Sequence, residues 1–272
     1  MFYQLEAPLL SAEERAEAAL ALRTAEASKV GIAPLAQTYP HMDVTDSYEI
    51  QLINIGLRLD AGVTTIGHKV GLSSKAMQEM MGVDEPDYGH LLSDMACFED
   101  APVDASRYLL PRVEPEVGFI LGGDLPGEDC TEADVLAATE AVAPALELID
   151  SRIVEWKIGL VDTIADNASS AGFVLGAGRV GPTEIDLLTI PCVLHRNDQV
   201  VGEGRSDAIL GNPVTSVAWL ARKVASFGVR LKAGHVILPG SVTRAIDARN
   251  GDVFRADFGA LGPVSLTFKG SN

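Results

Sequence analysis

Three glutamates embedded in apolar runs constrain this chain more than any other feature: Glu114 and Glu116 in LLPRVEPEVGFIL, and Glu147 in APALELID. Both runs read as β-strand. Side chains two apart on a strand share a face, so Glu114 and Glu116 point the same way, with carboxylates within ~7 Å of each other. Carboxylates are seldom fully buried without partners, and neighbouring ones disfavour each other's ionisation. Two readings follow. On a half-buried sheet the alternation places both acids in solvent. In a site, a cation relieves the repulsion, and an all-oxygen donor set favours a hard ion such as Mg²⁺ or Mn²⁺ over zinc. The third glutamate, in a second apolar strand, brings the metal reading level with the first.

The chain has 272 residues, 47% of them hydrophobic, enough for one large domain or a main domain with a smaller appendage. A formal charge of −17 repels a phosphate backbone, and no Lys/Arg stripe interrupts it, which argues against nucleic-acid binding. An anionic substrate would need a local cation to recruit it. No apolar stretch reaches membrane-spanning length, and the opening residues lack the basic and apolar regions of a signal peptide, so a cytoplasmic location is expected. Cys97, Cys130 and Cys192 are odd in number and widely spaced, and read as packing thiols.

Along the chain, Ser11 and Glu14 form a capping box that opens a helix through about Lys29. A second helix is expected from Thr45 to Gly62, then a strand in TTIGHKVGL and a short helix over 75–81. Residues 1–100 therefore read as a helix-rich region. From Tyr108 the pattern becomes short apolar runs punctuated by Gly, Pro and Asn-Asp turns, so residues 101–272 read as a β-rich core packed with the first region as one unit. Two helices interrupt that core, one from Thr131 ending before Pro144 and one opening at Asn212 and Pro213. The fold class is α+β.

Other motifs carry less. Gly176, Gly178 and Gly181 spell G-x-G-x-x-G, but no helix follows to receive a pyrophosphate, so the segment reads as an inter-strand turn. Lys69 in GHKVGL is either an exposed alternation residue or a cation placed in a site, where burial would lower its pKa. Asp84 and Asp87 flank a Pro turn, and the five histidines show no ligand spacing and read as surface or capping residues. Asp162, Asp166 and Asn167 in VDTIADNASSAG cap a turn or line a cleft; the pattern does not separate these. Ser241 follows Gly240 at a strand end, where backbone N–H groups suit an anion.

Taken together, GHKVGL, GVDEPDYGHLL, PRVEPEVGFIL, ALELIDSRI, VDTIADNASS, GNPVTSVAWLARK and GHVILPGS resemble the 2-hydroxypenta-2,4-dienoate (2-keto-4-pentenoate) hydratase family of the fumarylacetoacetate hydrolase superfamily, from about residue 30 onward. The resemblance implies a mixed β-roll or sandwich core with an N-terminal helical region. It implies a hydro-lyase of aromatic or steroid meta-cleavage catabolism, working as a homo-oligomer with Mg²⁺ or Mn²⁺, alongside a downstream aldolase or pathway decarboxylase. Carried over, the metal ligands fall on Glu114, Glu116 and Glu147, and the catalytic residues on Lys69 and Asp87. Leu72, Asp166, Asn167, Gly240 and Ser241 fall around the substrate. The family usually has threonine before Gly-Ser at the strand-end turn; here it is Pro239. The competing reading is a 4-oxalocrotonate-type 2-oxo-3-enedioate decarboxylase. Its second carboxylate calls for a cation at the far end of the pocket, for which Arg244 is the candidate. A non-catalytic subunit supporting a partner enzyme is a third, against which the intact Glu and Lys set speaks.

Overall fold

The computed structural model describes residues 9–75, 78–79 and 82–270. Its strands form two sheets. The larger contains β1 (Thr65–Gly71), β2 (Asp87–Leu92), β3 (Arg112–Leu121), β4 (Thr139–Ile149) and β5 (Ser170–Leu175). The smaller contains β6 (Pro191–Arg196), β7 (Gln199–Arg205), β10 (Val253–Asp257) and β11 (Pro263–Thr267). Two short strands, β8 (Val236–Leu238) and β9 (Ile246–Asp247), complete the larger sheet in the order β2-β1-β8-β3-β4-β5, with β9 also on β3. The smaller sheet runs β11 (Pro263–Thr267), β10 (Val253–Asp257), β6, β7. Pairing is antiparallel except between β1 and β8.

The two-residue period of β3 divides its side chains between two environments. Val113, Val117, Phe119 and Leu121 enter the main core with Leu146 and Leu148 of β4 and with Phe254, Val264 and Leu266 of the smaller sheet. Glu114 and Glu116 are left on the opposite face. Pro115 between them cannot donate to a ladder. It falls in the gap where β3 is paired by neither β8, which meets Phe119 and Ile120, nor β9, which meets Arg112 and Val113. Its carbonyl accepts from Val242 N–H at 3.1 Å on that side, so the missing N–H breaks no ladder bond.

Helices cover the sheet. α1 (Ala12–Ser28) opens on the Ser11/Glu14 capping box, and α3 (Val44–Asp60) on a reciprocal cap between Asp43 and Asp46. Their apolar faces meet through Ala18, Ala19, Leu22 and Ile50, with Ala165 of α5 (Leu160–Ala165) and Leu35 of α2 (Leu35–Thr38). α6 (Pro213–Ala225) is capped by Asn212 and buries Val217, Leu220, Ala221 and Val224, as its sequence stripe predicts. Among the described residues no helix is long and apolar enough to cross a membrane.

Several expectations are corrected. The helix opening at Thr131 is only Glu132–Ala138 (α4), and β4 begins at Thr139, because pairing with β3 out to Leu121 overrides the helical propensity of the alanine-rich stretch. The larger sheet draws on both sides of residue 100, since β1 and β2 belong to it together with β3, β4 and β5. β2 and β10 escaped the sequence reading; DYGHLL is buried at all six positions and offers no alternation to see. Of the short helix expected over 75–81, residues 76, 77, 80 and 81 lie outside the described residues. The G-x-G-x-x-G segment is followed by no helix, and its Val180 bridges to Val142.

Candidate functional site

Antiparallel pairing sets Glu114 directly opposite Glu147, and Glu116 lies two residues further along the same face of β3. One carboxylate oxygen from each of the three lies within 4.8 Å of the others. All three are buried, Glu116 and Glu147 completely. Solvent-facing alternation is thereby excluded. Ser170 Oγ donates to Glu147 Oε1 at 2.9 Å, and Gly240 N–H donates to Glu116 Oε2 at 2.8 Å. The other two oxygens, Glu116 Oε1 and Glu147 Oε2, have no hydrogen-bond partner among the described residues.

Lys69 reaches this cluster from β1. Its Nζ donates to the Ala168 carbonyl at 2.9 Å and forms an ion pair with Glu147 Oε2 at 3.4 Å. Burial alone would depress the ammonium, but the carboxylates of Glu147, Asp87, Glu114 and Glu116 together override it and hold Lys69 above the ordinary lysine range. The lowering expected from burial is thus reversed by charge. The acids feel the converse. Burial pushes Glu114 up to about 7, with Lys69 pulling down and Glu147 and Asp87 pushing up. Glu116 is driven well above the carboxylate range by burial and then by Glu147 and Glu114. Glu147 and Asp87 are also raised by burial, each opposed chiefly by Lys69.

Asp87 is not a turn residue: it opens β2, almost fully buried, opposite Gly71 of β1. The pairing explains that glycine. A Cβ at Gly71 would lie 2.1 Å from Asp87 Oδ1 and 3.5 Å from Lys69 Nζ. Gly240, at φ +129°, is similarly constrained, since a Cβ there would meet Ser73 Oγ at 1.9 Å.

A cavity of about 80 Å³ opens onto Lys69, Asp87 and Glu114, and Leu72 and Ser241 line it. Asp166 and Asn167 do not. Asp166 is bound to the Arg152 guanidinium in a buried ion pair and accepts Arg152 N–H at 2.9 Å. Asn167 brackets His90, accepting its N–H at 2.7 Å and donating to its carbonyl at 2.9 Å. Both residues line a separate cavity with Arg23 and Arg152. Their loop still contributes through Ala168 and Ser169. Asp162 caps α5 through Gly159 N–H. His68 and His90 are buried, not surface residues, on neighbouring strands with ring centroids 4.8 Å apart. Sequence reasoning missed Ser170, Thr163, which hydrogen-bonds Asp87, and the apolar wall of Ile149, Trp156 and Ile158. The serine and threonine sit in the same polar stretch as Asp166, with nothing in the pattern to single them out.

The model of the fumarylacetoacetate (FAA) hydrolase C-terminal family matches residues 73–269. The chain belongs to the fumarylacetoacetate hydrolase family. Within this family it is 41% identical over 260 residues to the 2-keto-4-pentenoate hydratase of Paraburkholderia xenovorans (strain LB400), covering 96% of this chain and 97% of that one. It is 40% identical to the 2-oxo-hept-4-ene-1,7-dioate hydratase of Escherichia coli, covering 91% and 95%. The solved structure of 4-oxalocrotonate decarboxylase from Pseudomonas putida G7, complexed with magnesium and adipate, superposes with a TM-score of 0.92 at 34% identity, covering 96% of this chain and all of that one. The hydratase resemblance and the α+β fold class are borne out.

Proposed function

We propose that this chain is a divalent-metal-dependent hydratase. It adds water to 2-hydroxypenta-2,4-dienoate, or to a homologue with a short alkyl group at C5, to give a 4-hydroxy-2-oxo acid such as 4-hydroxy-2-oxopentanoate. The observation that carries this reading is a buried set of three carboxylates beside one ammonium. The unpartnered Glu116 Oε1, and Glu147 Oε2 whose contact is the Lys69 ion pair alone, suit a hard cation, so Glu114, Glu116 and Glu147 would hold Mg²⁺ or Mn²⁺. Such an ion, when bound, supplies Lewis-acid stabilisation of negative charge at the C2 oxygen.

The chain's own residues do the rest. Lys69 is the one cation lining the cavity among the described residues, and it attracts the substrate carboxylate against the field of an acidic protein. Tautomerisation of the dienol to a 2-oxo-3-enoate moves a proton from the C2 hydroxyl to C5; addition of water then places hydroxyl at C4 and a proton at C3. Asp87 and Lys69, both facing the cavity, are the proton carriers for these transfers. Leu72, Ile149 and Ile158 enclose the hydrocarbon end.

A decarboxylase of the 4-oxalocrotonate type has the support of the magnesium-bound structure in that fold. Arg244, the cation it would call on, is exposed and does not line the cavity, and no arginine does among the described residues. Hydration is therefore the better reading. NMR of the products from freshly generated 2-hydroxypenta-2,4-dienoate and, separately, 4-oxalocrotonate tests it. Hydration of the first supports the proposal, and loss of CO₂ from the second with no hydration of the first contradicts it.

The same reading includes a homo-oligomer, with a downstream aldolase cleaving the aldol product. A concentration-independent monomer in sedimentation velocity would contradict the oligomer.

A further inference from the structure

We propose that Trp156 is the residue that restricts the site to dienoates with a short apolar tail, because it closes the catalytic cavity against the Arg112 guanidinium. The inference rests on the hydratase reading for the identity of the substrate head.

Arg112, Glu114 and Glu116 alternate along β3, so all three share the carboxylate-bearing face, and Arg112 lies one strand repeat, ~7 Å, beyond Glu114. Ile149 of β4 pairs directly with Arg112 and lines the cavity. A substrate whose oxygens meet the glutamate cluster and whose chain follows β3 past Ile149 therefore heads towards a cation. Trp156 stands in the way. The Arg112 Cζ lies 4.4 Å from the Trp156 ring centroid, and the indole N–H donates to the Leu110 carbonyl at 2.9 Å, so the ring is fixed from two sides. The residue also lines two cavities at once: the catalytic one of about 80 Å³, and a neighbouring one of about 620 Å³ that contains Arg112, Asp247 and Arg249.

Arg112 is further occupied by Asp247, which accepts from its Nε at 2.9 Å. A substrate tail ending in methyl or methylene meets an aromatic wall. A tail ending in carboxylate would lose its water without reaching a counter-charge, which disfavours it. Removing the indole joins the two cavities and brings Arg112 within reach of such a tail.

The test is calorimetric binding of 2-oxopentanoate and 2-oxoheptanedioate to the full-length chain with Mg²⁺, which does not depend on turnover. The wild type should bind the monoacid more tightly by about tenfold or more, W156F should keep that preference, and W156A should shift the ratio towards the diacid by about tenfold or more. W156L should shift it part-way, which preserves the test if W156A does not fold. In the W156A or W156L background, R112Q should abolish the gained diacid affinity. An unchanged ratio in folded W156A and W156L, a wild type that prefers the diacid, or a shift that survives R112Q would each overturn the proposal. A wild type that prefers the monoacid but hydrates no dienoate would instead count against the hydratase reading, with the binding ratio still reporting on the wall.

Discussion

Lys69 Nζ and Glu147 Oε2 lie 3.4 Å apart inside the larger sheet, an ion pair within a cluster of acids that outnumbers it. One ammonium faces Glu147, Asp87, Glu114 and Glu116, so the metal-free site carries excess negative charge that burial makes costly. A divalent cation and an anionic substrate complete the balance.

Lys69→Met should lower kcat by roughly 10²-fold or more, the scale for removing a general acid or base, while leaving the fold intact. Lys69→Arg should also be poor, since a broad planar guanidinium does not reproduce the compact ammonium that fits between the Ala168 carbonyl and Glu147. Schiff-base chemistry is not part of this account. Borohydride trapping during turnover, read by mass spectrometry, should find no substrate adduct on Lys69.

Glu116→Ala should abolish activity yet leave the metal-free protein at least as stable as wild type, because a buried carboxylate with an unpartnered oxygen beside two others is removed. Wild type should gain roughly 2.7 kcal/mol of stability at a Mg²⁺ concentration ~100 times Kd. Thermal unfolding with and without Mg²⁺ checks both points, and a Mg²⁺-dependent shift that persists in Glu116→Ala would contradict the ligand assignment.

Gly71→Ala should impair catalysis without touching any proposed ligand. Its methyl would lie 2.1 Å from Asp87 Oδ1, so the carboxylate must move. A fall in kcat of about 10²-fold, with Mg²⁺ affinity retained, is the expected outcome. Unchanged kinetics would remove Asp87 from the mechanism.

His68 makes a pH-dependent contribution to stability. Both of its ring nitrogens lack hydrogen-bond partners among the described residues, and burial holds it well below the ordinary histidine range; burial likewise holds His90 down at about 4. Below pH ~6.5 the unfolded chain takes up protons that these folded imidazoles refuse, so stability present above ~6.5 is lost as pH falls towards 4. The raised carboxylates act with opposite sign, but cancel when a variant is compared with wild type. His68→Leu should be no less stable than wild type at pH 7, and its advantage should grow at pH 5. Urea midpoints at the two pH values read this, and an advantage that does not grow would contradict it.

Much of the site was legible because strand period and apolar context expose a misplaced charge. Glu114, Glu116, Glu147 and Lys69 stand out against runs of Val, Ile and Leu, and the structure brings them together. Asp87 was readable only through resemblance, since GVDEPDYGHLL carries turn residues on one side and a fully buried strand on the other. Asp166 and Asn167 show the converse: a polar cluster looks alike whether it meets a ligand or ties a loop to Arg152 and His90. Trp156 could not be read at all. It sits in a turn, Val154–Trp156, where Glu155 and Trp156 both adopt φ of 55°, and no local pattern announces which cavity such a turn will wall.

If Glu114, Glu116 and Glu147 form the metal site, anomalous diffraction from crystals grown with Mn²⁺ will locate the ion among them. One anomalous peak per chain is expected between the three carboxylates, with ligand oxygens at about 2.0–2.2 Å. A chain that hydrates 2-hydroxypenta-2,4-dienoate in Mn²⁺ but shows no peak there, or shows its peak elsewhere, would contradict that assignment.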